Sequence, residues 1–236
     1  MTEDTSFLLL SAAGLGVLHT LTGPDHYVPF VALARARGWS AARTAWITLG
    51  CGAGHLAGSV ALGLVASGLG VALERIEAWE DARGSLAAWA LVVFGLVYLA
   101  WGLRRAWRGR EHAHPHTHAD GTRHTHAHDH RTPHAHPHDG QGRHATPWVL
   151  FIIFVLGPCE PLVPLLAYPA MQGAAGQAAA VGAAFGAATL ATMVGTVLLA
   201  RAGAERLPLA WLERYAHALA GAAIGLCGAG IVFLGL

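Results

Sequence analysis

Apolar residues run with little interruption by charge over about 7–34, 45–73, 86–107, 147–171, 177–200 and 211–236. A helix needs about 20 such residues to cross a hydrocarbon core of ~30 Å, and each stretch meets that length. The pattern predicts an all-α polytopic membrane protein with six transmembrane helices, three in each half. An odd number per half sends the second half into the membrane the opposite way up, so the arrangement read here is a 3+3 inverted repeat. The first helix and the fourth each carry a Gly-Pro in mid-run, Gly23-Pro24 and Gly157-Pro158, and both are expected to be broken there.

The halves align at a nearly constant offset. Gly157-Pro158 answers Gly23-Pro24 at 134 residues, the run from Gly186 answers that from Gly52 at 134, and Gly230 answers Gly95 at 135. Small-residue matches are common in such helices, but three in order at one spacing point to duplication. The organisation is therefore a first three-helix repeat over 1–108, a linking segment over 109–146 and a second three-helix repeat over 147–236.

Composition adds orientation. The chain is 54% hydrophobic and 12% charged, which excludes a water-soluble globular fold and a nucleic-acid binder. Arg35, Arg37 and Arg43 follow the first span, Arg104, Arg105, Arg108 and Arg110 the third, and Arg201 and Arg206 the fifth. The positive-inside rule makes those loops cytoplasmic and puts both termini outside, in a bacterial inner membrane. Glu74, Glu77, Glu80, Asp81, Arg75 and Arg83 are read as an outer loop. The first span lacks a basic n-region and runs straight into Asp25-His26, so it is expected to be retained.

The linking segment differs in kind. Twelve of the sixteen histidines lie in it: His112, His114, His116, His118, His124, His126, His128, His130, His134, His136, His138 and His144. With few apolar residues it has no core to bury, so it is expected to be a disordered cytosolic loop. Imidazoles at that density capture divalent transition metals.

Ionisable groups inside the spans carry the functional reading. Each costs about 2.5–3.5 kcal/mol at mid-membrane on insertion scales, and the first span alone holds His19, Asp25 and His26. In an unbroken helix His19 and His26 would stand about 10.5 Å apart along the axis. Pro24 withholds a donor and Gly23 tolerates unusual angles, so a break there brings both rings toward one point. His55 in the second span and Glu160 with Cys159 in the fourth complete a candidate metal site; Cys51 and Cys227 read as packing. Two carboxylates balance a dication, and neutral imidazoles suit nickel, cobalt or zinc over magnesium or calcium. No catalytic constellation is read, and no enzyme activity is expected.

These motifs carry a resemblance. His19-Thr-Leu-Thr-Gly-Pro-Asp25-His26 and Gly54-His55 resemble the first- and second-helix signatures of the nickel/cobalt transporter superfamily. Gly157-Pro158-Cys159-Glu160-Pro161 is similar to a segment of its UreH-type urease accessory membrane proteins. The resemblance implies a permease for nickel or cobalt as cargo, with no permanently bound cofactor, supplying a metallochaperone of urease or hydrogenase maturation. Efflux for detoxification is the alternative. A membrane thiol-disulfide electron carrier of the cytochrome-biogenesis type is a further alternative, on the Pro158-Cys159 pair; it needs a second sulfur close by.

Overall fold

The computed structural model describes residues 3–68, 72–108, 112–117, 123–128, 141–206 and 210–235. Helix α1 (Glu3–Thr22) ends at Gly23, a single 3-10 turn spans Pro24–His26, and α2 (Val28–Arg37) resumes beyond it. The discontinuity follows from Pro24, which has no N–H to give to the preceding turn. Gly38 closes α2 in the left-handed conformation (φ 61°) that glycine adopts without a Cβ penalty. Ser40 then caps α3 (Ala41–Gly68), its hydroxyl accepting from Arg43 N–H at 3.2 Å.

Helix α4 runs from Leu73 to Arg108. At 1.5 Å per residue it is about 54 Å long, far more than the hydrocarbon core needs. Its early start corrects the sequence reading: Glu74, Arg75, Glu77, Glu80, Asp81 and Arg83 form the first turns of a helix, where an outer loop was expected. In the second half, α5 (Gln141–Leu156) and α6 (Leu162–Met171) flank the Gly157-to-Pro161 break, followed by α7 (Ala175–Glu205) and α8 (Ala216–Leu234).

The membrane part is all-helical. Among the described residues five helical stretches are long and apolar enough to cross a membrane: Thr5–Thr22, Ala41–Leu62, Glu74–Arg108, Ala175–Glu205 and Glu213–Leu234. The fourth span expected over 147–171 is divided at its Gly157-Pro158, as read from the sequence, into two short helices, since Pro158 and Pro161 both lack the donor that continuity needs. Large apolar side chains such as Phe7, Trp46, Val93 and Leu226 stay exposed, as a lipid-facing surface requires. The linking segment also differs from expectation. Two strands, β1 (His112–Thr117) and β2 (Arg123–His128), pair antiparallel with His112 opposite His128, His114 opposite His126 and His116 opposite His124.

Packing relates the halves element by element. Helix α1 lies on α7 as α5 lies on α3, while α3 packs on α7 and α4 on α8. The α4–α8 seam is the tightest. A Cβ on Gly95 would meet the backbone of Gly225, and one on Gly221 the backbone of Leu99, so glycine there lets the two helices touch main chain to main chain. Two large buried apolar clusters result among the described residues, one around Phe30, Leu33, Leu150, Phe154 and Ile224, the other around Ala12, Cys159, Leu162, Val181 and Phe185, beside a small contact of Ile76 with Val163.

Candidate functional site

Three imidazoles meet where those clusters adjoin. His19 sits in the last turn of α1 and packs on Phe185 with ring centroids 6.0 Å apart. His26 ends the 3-10 turn and meets the edge of Phe154 at 6.4 Å. The break does what the spacing required: the His19 and His26 rings stand 4.7 Å apart, not the 10.5 Å or so of a continuous helix. His55 comes from the middle of α3, 5.2 Å from His26 and 6.0 Å from His19. One ring nitrogen from each of the three lies within 4.8 Å of the other two.

Hydrogen bonding decides which nitrogens are free. His55 Nδ1 faces the Phe154 carbonyl at 3.3 Å, and a carbonyl only accepts, so Nδ1 carries the proton. His26 Nδ1 is held in the same way by Gly23 O at 3.1 Å and by Asp25 Oδ1 at 3.0 Å. Both rings then present an Nε2 lone pair. Each Nε2 is buried without a hydrogen-bond partner among the described residues, in residues only 2% exposed. A buried acceptor left empty costs about 1–3 kcal/mol, so two of them side by side call for a ligand. In a tetrahedral site with metal–nitrogen bonds of about 2.1 Å the nitrogens stand about 3.4 Å apart. The rings need close by little more than an ångström to hold an ion.

Asp25 does not join the nitrogens. It bonds to His26 Nδ1, the position from which a carboxylate fixes the tautomer and raises the basicity of a metal-binding imidazole. Glu160, expected as a ligand, is exposed and lies outside the imidazole cluster, on the wall of an adjoining cavity of about 460 Å³. Cys159 is buried with Sγ 3.8 Å from His19 Nε2, at the edge of the cluster. Of the auxiliary histidines, His118, His130, His134, His136 and His138 lie outside the described residues, and the others are placed by backbone alone.

The sequence reading missed the support of the second break. The Glu80 side chain is 2% exposed and pairs with Arg83, while Ser59 Oγ donates to it at 2.9 Å. Arg83 also donates to Val155 O (2.8 Å) and Gly157 O (3.2 Å), and Cys159 N–H donates to Ser59 Oγ (3.1 Å) and Glu80 Oε2 (3.3 Å). Two carbonyls and one amide that the broken helix leaves open are thereby satisfied from α3 and α4. The signal available was a Glu-x-x-Arg spacing in a run without proline. A second network, Arg37 Nε donating to Tyr98 OH at 3.2 Å and Tyr98 OH 2.9 Å from His217 Nδ1, lies apart from the site.

Comparison with known families corrects the identification drawn from short motifs. The family described as the cytochrome C biogenesis protein transmembrane region matches residues 28–230, a stretch that contains His55 and Cys159 and begins just after His26. No curated protein and no solved structure matches the chain. The likeness to the nickel/cobalt transporter superfamily and to UreH-type proteins rested on about a dozen residues, and a match over most of the chain overrides it. The expectations of nickel or cobalt transport and of a urease accessory role fall with it. This chain belongs to the family of cytochrome c biogenesis transmembrane regions.

Proposed function

We propose that this protein, within that family, holds a borderline-to-soft transition-metal ion, copper(I) or zinc, between His19, His26 and His55 and carries it through the membrane. The single observation behind this reading is the pair of buried, unpartnered Nε2 atoms of His26 and His55 in a cluster with His19. Neutral imidazoles are donors for such ions, and they are poor donors for magnesium or calcium. The exchange of equivalent contacts between the halves supports an inverted repeat around this centre, and the arginine distribution supports cytoplasmic loops after α2 and α4. Flux into liposomes containing the purified protein tests it: copper(I) or zinc should enter, and His55→Ala should abolish entry. Empty vesicles and protein-containing vesicles giving equal flux would refute it.

The family match favours a second reading, thiol-disulfide exchange across the membrane at Cys159. Its sulfur is buried beside His19, directly after Pro158. Two-electron exchange needs two sulfurs, and Cys51, Cys159 and Cys227 are each free thiols. The second sulfur would come from Cys51, from Cys227 or from a partner protein. Cys159→Ser separates the readings: it abolishes electron transfer to a thioredoxin-like acceptor under this one and leaves metal flux under the first.

A further inference from the structure

The cavity beside the imidazole cluster has a composition that transport of a cation would select. It holds about 460 Å³ and reaches from His19 and His26 outward between the start of α4 and the end of α8. Three carboxylates line it, Asp25, Asp81 and Glu160, with no arginine among the lining residues. The guanidinium of Arg83, two residues along α4 from Asp81, is taken up by Glu80 and the carbonyls of the second break. Asp81 and Glu160 are exposed, so the cavity communicates with the surroundings; at its inner end His26 is 2% exposed and its Nε2 has no partner.

We propose that this cavity is the cation entry vestibule of the imidazole site, with Asp81 as its outermost station. The proposal rests on reading the three histidines as a metal site. It adds the route and the side of access: the ion arrives at the face where α4 begins and α8 ends, opposite the end of α4 that carries Arg104, Arg105 and Arg108. A cleft lined by one sign of charge with low-dielectric walls concentrates counter-ions and speeds their capture. Asp25 then has two roles, facing the vestibule and holding His26 Nδ1, which places it at the threshold between hydrated and dehydrated ion. Phe154, whose ring stacks edge-on against Phe30 with centroids 4.8 Å apart, forms part of the apolar wall of the same cavity.

The test uses the full chain in liposomes, zinc alone as the probe, and initial flux at low zinc concentration. Asp81→Asn should lower the initial rate about threefold and Asp81→Arg about tenfold at ~10 mM salt, with both converging on the intact protein near ~0.5 M salt as screening removes the field. Ser85, exposed on the same wall, offers the converse: Ser85→Asp should raise the rate. Because that variant predicts a gain, poor folding does not imitate it. Flux through the intact protein that no charge change at 81 or 85 alters would overturn the vestibule alone. Absence of zinc flux and of copper(I) flux alike through the intact protein would overturn the metal-carriage reading and the vestibule with it.

Discussion

Replacing Arg83 with methionine perturbs the support of the second helix break and leaves the imidazoles untouched. The side chain is 19% exposed and its partner Glu80 2% exposed, so the pair is largely removed from water. Methionine keeps the stem that packs along α4 but leaves Glu80 with only Ser59 Oγ and Cys159 N–H, and leaves Val155 O and Gly157 O without the guanidinium. Breaking one side of a buried pair costs about 3–5 kcal/mol, since an uncompensated charge remains. Neutralising both sides is far cheaper. Arg83→Met should therefore destabilise by about 3–5 kcal/mol, and Arg83→Met with Glu80→Gln should recover at least about half of that. The assay is reversible unfolding in mixed detergent micelles, followed by the fluorescence of the chain's eight tryptophans. A loss within about 0.5 kcal/mol for Arg83→Met, the range of ordinary surface substitutions, would refute the claim that this pair holds the break.

Other outcomes follow from the same geometry. Asp25→Asn should keep the site but weaken metal affinity about 10–100-fold, read by competition with a chelating dye, because it acts on His26 through Nδ1. Metal binding should weaken on acidification, because protons and the ion compete for the same lone pairs; a titration against pH checks the sign. Gly221→Leu should prevent α4 and α8 from closing, seen as loss of folded protein on size-exclusion chromatography, because its side chain would occupy the space of the Leu99 backbone. Cys159→Ser should leave metal flux within about twofold of the intact protein, since Sγ lies only at the edge of the cluster.

Much of this site was legible because proline chemistry is local. Pro24 and Pro158 cannot donate, so both breaks could be placed from the sequence, and the break at Gly23 then explained how His19 and His26 could meet. His55 was legible as a polar group too costly to bury idle. The roles of the carboxylates were not, because sequence spacing does not say which side of a ring a neighbour meets. Asp25 reached Nδ1 of His26 in place of the shared centre, and Glu160, one residue past Cys159, turned outward to the cavity. Glu80 and Arg83 were hidden because charges ahead of an apolar run look like a loop, whereas α4 starts thirteen residues before Leu86 and buries that pair against the second break. The family was misread for a related reason. Short His and Gly-Pro motifs are a few residues each, while the match over residues 28–230 integrates the helix pattern of nearly the whole chain.

The most direct measurement is anomalous X-ray diffraction from crystals grown with zinc or copper(I), using protein whose loop histidines between 112 and 144 are replaced by serine. One anomalous peak per chain, about 2.1 Å from Nε2 of His26 and of His55 and within bonding reach of His19, is the predicted result. Crystals that bind no ion between these rings, or that show Cys159 joined to another sulfur in their place, would contradict it.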